Sequence, residues 1–551
     1  MPDQFINEPI IEKSYRSALK WGDKNICDNP DNNLVTILIQ KLNLDKSHFN
    51  NPILSGNETI TYKHNPILSI KQLGNLRAIV GDENFKTDTY SLLINNFGKS
   101  IIEQFQLREK IIENLPDAVL FPENISQLED IISYCNNEKI KIWIYSGVTS
   151  VRHNNEVFTG VICINMAKHF NKIVNFNEIN QTVTVQPGIN GLMLERILNN
   201  APDTLHAKNQ FTCGHFPQSF EFSTIASWVL SSSRGQNATF YGKIADMVLT
   251  QKYITPVGMF ETLANPSEAS GPDINQIMIG SEGIYGILTE VTLKIHRYSP
   301  KNDQFFSIMF KNKSEAINTA REIMQLQFGS PSVLRILDAE ETLLQIGKLS
   351  STLINKYLNF KESPENHRFL LLGYTSGENS FAKNVYKNIL KTGKKHHGIS
   401  FGTKVAKQWK QSRFSAQYLY DSLLDFNIIT NTLECRTLWD NLEKLYQKVT
   451  QFIKLRPNTF CMAHLSNFSE NGANWYFIYF SQYKSIQEYE TFEQDIMHTI
   501  LTNNGSITQI KGIENTIPQQ NYFKEGNNQQ NLIQHIKNYF DPKGILNPEN
   551  L

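Results

Sequence analysis

The sequence predicts an α+β fold in which a region suited to a large buried cofactor is followed by a second αβ domain and a C-terminal helix. Short strands with few helices between them dominate residues 111–300. From about residue 300, the helical periodicities SEAINTAREIMQLQ and RTLWDNLEKLYQKVTQFIKL alternate with the apolar, aromatic strands FLLLGY and NWYFIYFSQY. Between Thr212 and Glu290 lie two segments rich in Gly, Ser and Thr, TCGHFPQSFEFSTIASWVLSSSRG and GPDINQIMIGSEGIYGILTE. Small residues let backbone approach a ligand closely and hydroxyls offer hydrogen bonds, so the two segments suggest a large buried cofactor.

The elements follow in order. Residues 1–110 read as helices separated by polar turns. DAVLF is a short strand, Ser126 with Glu129 forms a capping box, and Leu128, Ile131, Ile132 and Cys135 share one helical face. A strand from Ile140 to Tyr145 ends in the turn YSGVTSV, whose amides can cradle a phosphate. A buried strand (Val161 to Ile164) and a hairpin bearing Val183 and Val185 come next, and Asn190 caps a helix carrying Leu194, Ile197 and Leu198. MVLTQKYITPVGMFETL gives two strands around Thr255-Pro256-Val257-Gly258, and ILTEVTLKIHR closes the region. Residues 301–515 form the second domain, and residues 516–551 return as a helix stopped by Asp541-Pro542.

Lys+Arg and Asp+Glu balance at 53 each, so no global field draws the chain to nucleic acid. No apolar run approaches the roughly 18–20 residues that span a bilayer, and no signal peptide or peroxisomal address is recognised. Cytoplasmic residence is the expectation. The six cysteines lack CxxC spacing and read as reduced core thiols. No GxGxxG follows a strand, which excludes a Rossmann site. His396-His397 reads as a basic loop without metal partners at ligand spacing, so no metal is expected.

Three residues stand out as chemistry. His215, on the loop GHFPQSFEFST, can serve as donor or base near a cofactor, or be a plain exposed loop histidine. Ser223 and Thr224 can bond a flavin or nucleotide edge, or cap a helix. Arg335, inside the apolar VLRILDAE, can clamp an anionic substrate or pair with Asp338. Gly280, Gly283 and Gly286, spaced by three before a strand, allow backbone to lie against a flat ligand.

Together GHFPQSFEFST, GPDINQIMIGSEGIYGILTE and RILD resemble the alkyldihydroxyacetonephosphate synthases (alkylglycerone-phosphate synthases) of the vanillyl-alcohol-oxidase, PCMH-type FAD-binding superfamily. The likeness runs from about Tyr15 to the terminal DPKGILNPENL. It implies a PCMH-type FAD-binding domain of two subdomains, a cap domain holding substrate over the flavin, and FAD bound non-covalently. It assigns cofactor contacts to Ile144, Tyr145, Ser146, Gly147, Val148, Thr149 and Ser150 at the pyrophosphate. Further contacts fall on Gln218, Ser219, Phe220, Glu221, Phe222, Ser223 and Thr224, then on Ser231, Ser232, Ser233 and Arg234, then on Glu282, Gly283, Ile284, Tyr285, Gly286, Ile287 and Leu288. His215, Thr224 and Arg335 match the family's loop histidine, flavin-side threonine and phosphate-binding arginine.

The chain departs from the pattern elsewhere. The family's His run falls on Gln509, Ile510 and Lys511, its active-site Tyr near Ser469 beside Phe468, a second Arg on Tyr420, and a loop Gly on Val148. The resemblance therefore implies flavin-dependent chemistry, either the family's alkyl transfer or an oxidation of a hydroxy acid or alcohol, on an anionic and lipid-like small molecule. A degenerate flavin-fold scaffold is the other reading. Peripheral membrane contact and a homodimer are compatible partner expectations.

Overall fold

The computed structural model describes residues 20, 30–52, 60–145, 160–263, 271–347, 368–507 and 528–547. The N-terminal part enters as short helices, capped by Asp31, Ser69, Asp88 and Ser100, each accepting a first-turn amide on its side chain. Such caps satisfy donors that a helix start leaves unpaired.

Strand β1 (Phe85–Lys86) joins β2 (Ala118–Leu120), β3 (Lys141–Tyr145) and β4 (Val161–Asn165) in a sheet of order β1-β2-β4-β3. The β2/β4 and β3/β4 pairs are parallel. Parallel neighbours need a crossover, and the helix Ile125–Glu138 supplies it, burying Leu128, Ile131, Ile132 and Cys135. Its cap is Asn124 and not the predicted Ser126: Asn124 is extended and accepts from the Gln127 amide, which leaves Ser126 inside the first turn.

Strands β5 (Ile173–Asn177) and β6 (Thr182–Val185) form the predicted hairpin, with Val183 and Val185 inward. Strand β7 (Phe211–Thr212) follows the helix Gly191–Asn199, which Asn190 caps as expected. Strands β8 (Val248–Thr255), β9 (Gly258–Glu261) and β10 (Ile287–Lys294) complete an antiparallel sheet of order β5-β6-β10-β8-β9, while β11 (His296–Arg297) pairs with β7.

The third sheet comprises β12 (Gln304–Phe310), β13 (Val333–Leu337), β14 (Phe369–Thr375), β15 (Ile399–Gly402), β16 (Ile429–Leu438), β17 (Thr459–Ser466), β18 (Gly472–Ser481) and β19 (Ser506–Ile507). Its order is β15-β12-β14-β13-β17-β18-β16-β19. The helix read from RTLWDNLEKLYQKVTQFIKL begins only at Leu442, because Arg436, Thr437 and Leu438 pair with β18 as the end of β16.

Strand alternation gives this sheet two unlike faces. One presents Leu334, Ile336, Leu371, Leu433, Cys461, Ala463, Trp475 and Phe477 to the helices Lys313–Gln325, Asn379–Lys395, Leu442–Leu455 and Ile486–Thr502. The other carries Arg335 on β13, His464 on β17, Asn474 and Tyr476 on β18, and Glu434 and Arg436 on β16, with Glu434 opposite Tyr476 and His464 opposite Tyr476 in register. This polar row looks toward the FAD-type half of the chain: Phe468 N donates to Thr239 Oγ1 at 3.3 Å and Asn237 Nδ2 to the Tyr374 hydroxyl at 2.9 Å.

The tail helix Asn528–Phe540 ends before Asp541-Pro542 as predicted, and Leu546 bridges Ile142 beside β3. All five described cysteines are free and buried. No helix among the described residues is long and apolar enough to cross a membrane.

Candidate functional site

Three of the four predicted cofactor segments meet around the loop after β8–β9. The Glu282 amide donates to the Leu230 carbonyl (2.9 Å) and the Gly280 amide to Val229 (3.0 Å), which ties the Gly-Ser-Glu-Gly turn to the end of the helix Ile225–Leu230. Ser231, Ser232, Ser233 and Arg234 follow that helix directly. Asn547 joins β3 to the same turn: it accepts from the Ile144 amide (2.8 Å) and donates to the Glu282 carbonyl (2.6 Å). A Cβ on Gly283 would lie 2.6 Å from Asn547 Nδ2, and its φ is +82°, so this position needs glycine to admit Asn547.

Some assignments change with this geometry. The Ile144 amide is spent on Asn547, and the Tyr145 hydroxyl on the Ile94 carbonyl at 3.1 Å, so neither of those groups is left for a pyrophosphate. Ser146, Gly147, Val148, Thr149 and Ser150 lie outside the described residues, as do Gln509, Ile510 and Lys511. Thr224 is a helix cap, its hydroxyl accepting from the Ser227 amide, and the Ser223 hydroxyl accepts from Trp228 Nε1 at 2.7 Å. Ile284, Tyr285, Ile287 and Leu288 turn their side chains into the core, so any contact they make with a cofactor runs through backbone.

Gln218, Ser219, Phe220, Glu221 and Phe222 face the other domain. Gln417 Nε2 donates to Gln218 Oε1 (3.1 Å), the Tyr418 hydroxyl to Glu221 Oε2 (3.0 Å), and Phe220 stacks on Phe414 with centroids 5.0 Å apart. The Arg413 guanidinium covers Phe216 and Phe414 at 4.5 and 4.7 Å. Burial raises the Glu221 carboxyl above its usual range, against the Tyr418 hydrogen bond.

His215 is fully enclosed and is not an exposed loop histidine. Gly214 before it has φ +78° and no room for a Cβ against the Tyr241 ring, and Glu195 pins the loop by accepting from the Thr212 hydroxyl (2.9 Å). The imidazole lies on Trp228 (4.7 Å), its Nε2 contacts Ser233 Oγ (2.9 Å), and its Nδ1 has no partner among the described residues. Burial pushes its pKa down to about 3, so it is neutral at physiological pH.

Arg335 does not pair with Asp338. Its Nη2 donates to Glu341 Oε1 (3.0 Å) and stands 2.8 Å from His464 Nδ1, which is also 2.9 Å from Glu341 Oε2. Asp338 instead accepts from the amides of Ala463 and Glu341, each at 2.9 Å, as the turn out of β13 requires. Burial would raise the Glu341 carboxyl, but the charges beside it hold it below the usual range, and burial together with the Arg335 charge lowers His464. The His464 ring lies flat on Tyr476, whose hydroxyl accepts from Asn467 Nδ2 at 2.6 Å. Tyr420, aligned with a family arginine, reaches the Thr432 hydroxyl at 3.4 Å.

Glu341, His464, Tyr476, Glu434 and Arg436 were not legible as site residues. Glu341 lies in the first turn of the helix Ala339–Gly347, and the signal of the other four is polar side chains at alternate strand positions, which becomes meaningful only once the register is known. His396 is likewise not a bare basic loop: its Nε2 is 2.7 Å from Glu322, and no cluster able to hold a metal exists among the described residues.

These residues fit a flavin. The segments converge beside a buried, neutral imidazole with an unpartnered nitrogen, and two turns there hold residues at positive φ, Ser232 (48°) and Glu282 (51°), a backbone form that can turn amides toward an anion. Residues 116–264 match the FAD binding domain family, and residues 299–551 match the FAD linked oxidases, C-terminal domain. The chain is therefore an FAD-dependent enzyme with the PCMH-type fold. Among the proteins it is similar to are the alkyldihydroxyacetonephosphate synthases. It is 26% identical over 505 residues to the Dictyostelium discoideum alkyldihydroxyacetonephosphate synthase, covering 86% of this chain and 80% of that one. A solved alkyldihydroxyacetonephosphate synthase structure superposes with a TM-score of 0.78 at 24% identity, over 96% of this chain and 94% of that one. A hydroxy-acid enzyme, the Saccharomyces cerevisiae mitochondrial D-lactate dehydrogenase [cytochrome] 1, is 24% identical over 300 residues, 52% of this chain and 49% of its own.

Proposed function

We propose that this enzyme oxidises a hydroxyl-bearing, anionic and lipid-like substrate at the junction of the FAD-binding and cap domains. The observation that carries the reading is the polar row on the cap sheet, where Arg335, Glu341, His464 and Tyr476 form one connected cluster facing the FAD-binding half. FAD, when bound, supplies the two-electron acceptor. Gln218 to Thr224, Ser231 to Ser233 and the backbone of Glu282 to Leu288 would hold it, which leaves the Arg234 side chain outside the cofactor's grip.

The protein's own contribution is positioning and proton handling. In the tautomer that donates Nδ1–H to Glu341 rather than accepting from Arg335, His464 presents a bare Nε2 that can take the substrate hydroxyl proton, and its lowered pKa keeps it unprotonated and ready. Glu341 orients the ring, and the Arg335 charge keeps that carboxylate ionised. The enclosed His215 reaches the crevice through Ser233, as a hydrogen-bonding wall rather than a mobile base.

The family's alkyl transfer is the second reading, favoured by the long coverage of the synthase relative. Gln509, Ile510 and Lys511 at the family's His run disfavour it, since they supply no imidazole for proton transfer. The test is anaerobic. Purified protein should carry visible flavin absorbance, and a panel of hydroxy acids and glycerol-type phosphates should bleach it. Bleaching by none, with exchange of labelled fatty alcohol into an acyl-dihydroxyacetone phosphate, would decide for transfer. Colourless protein that FAD does not stabilise thermally would sink both.

A further inference from the structure

We propose that Arg234 and Arg436, one from each domain, form the seat for the substrate's anionic group, a carboxylate or phosphate. This rests on the reading that the substrate is an anion handled at the domain junction, and it moves the seat away from Arg335.

Arg335 is already matched. Its partner Glu341 lies 3.0 Å away with both side chains nearly enclosed, 12% and 13% exposed, so its charge is balanced inside the protein before any substrate arrives. Arg234 is the opposite case. It is half-buried, yet its guanidinium makes no hydrogen bond or ion pair among the described residues. Its backbone is fixed on both sides: Ser233 holds His215, and a Cβ on Gly235 would meet the Phe216 amide nitrogen at 2.5 Å.

Arg436 projects from β16 on the polar face. It is held by two neutral acceptors, Asn474 Oδ1 at 3.0 Å and Ser469 Oγ at 2.6 Å, with no carboxylate in direct contact. The turn that carries Ser469 is the one whose Phe468 amide bonds Thr239, five residues beyond Arg234, which brings the two arginines to the same junction. Burial, and then the neighbouring Arg234 charge, lower the Arg436 guanidinium, and the nearby Glu434 only partly offsets them.

The facing anion is Glu434, which accepts from Asn474 Nδ2 at 2.5 Å and lies in register with Tyr476, whose phenol burial and this carboxylate hold strongly protonated. Around the Tyr476 phenol, among the described residues, Glu434 is accompanied by the Arg234 and Arg335 guanidinium groups. Planar guanidinium forks match the oxygens of a carboxylate or phosphate, and a bound oxyanion removes the repulsion between the two cations.

The experiment uses the FAD-loaded full chain, titrated with inorganic phosphate and separately with oxalate, and read by flavin absorbance and by thermal unfolding. Saturable binding of at least one anion is expected, and which of the two binds identifies a phosphoryl or a carboxylate substrate. Arg234→Gln and Arg436→Gln should each weaken it about 10-fold or more with flavin content unchanged, the loss of a hydrogen bond between charged groups. Arg436→Lys, which keeps the charge, should recover part of the affinity and guards against a folding defect. Unaltered affinity in both Gln variants, or no saturable binding of either anion, overturns the proposal. Colourless protein refutes the oxidase reading alone, because thermal unfolding still reports the anion.

Discussion

The His464 imidazole lies against the Tyr476 phenol with ring centroids 4.8 Å apart and planes 13° from parallel, at the point where β17 and β18 pair residue for residue. The stack fixes the ring plane, and the Glu341 contact fixes its rotation, so the imidazole edge is aimed before substrate enters. His464→Gln should lower kcat by about 10² to 10⁴, the range for a lost proton-transfer group, and leave flavin bound. Steady-state rates with the substrate that bleaches the flavin, alongside flavin content, check this.

Removing Arg335 leaves Glu341 nearly enclosed beside a neutral ring. Breaking such a buried pair costs about 3–5 kcal/mol, and the small remaining exposure places the loss toward the lower end. Arg335→Ala should lower the urea midpoint and lower kcat while flavin stays bound. Arg335→Met combined with Glu341→Met should recover much of the stability and none of the activity.

The buried His215 makes stability depend on acid. In the unfolded chain an imidazole takes a proton below about pH 6.5, whereas the folded one does so only near pH 3. Its contribution is therefore complete above pH 6.5 and is lost as pH falls toward 3. His215→Gln should flatten the acid side of the stability profile by about 1.4 kcal/mol per pH unit relative to the parent, with a pH-independent offset above pH 7. Urea unfolding at pH 5, 6 and 8 measures it.

Asn547 joins β3 to the cofactor turn through one donated and one accepted bond while 3% exposed. Asn547→Ala strands the buried Ile144 amide and should cost about 1–3 kcal/mol. Gly283→Ala meets both the clash with Asn547 and the left-handed backbone, the latter alone about 1–2 kcal/mol. Thermal midpoints should fall for both, with weaker retention of FAD on dilution.

Local sequence determined the elements whose cause is local. The face of Leu128, Ile131, Ile132 and Cys135, the Asn190 cap, the β5–β6 hairpin and the Asp541-Pro542 stop are written in spacing and backbone preference, and the structure has them all. The one misplaced cap, Ser126 for Asn124, is a choice between two competent residues two positions apart. The close backbone packing within the small-residue segments from Thr212 to Glu290 is legible for the same reason: glycine and hydroxyl residues betray close backbone approach in sequence alone.

Only the tertiary structure decided the partners. Arg335 lies three residues from Asp338 in sequence but pairs with Glu341, because an extended strand throws its side chains to alternate faces and the following helical turn brings Glu341 back beneath it. His464, Tyr476, Glu434 and Arg436 are scattered over 43 positions and meet through register, which no local pattern encodes. From its Gly and Pro neighbours His215 reads equally as a donor or base beside a cofactor or as an exposed loop residue; Trp228, Tyr241 and Glu195, closing around that loop from other elements, exclude the second. Backbone preference acts over a few residues and is legible in sequence; charge pairing and burial act across space, and only the fold sets those distances.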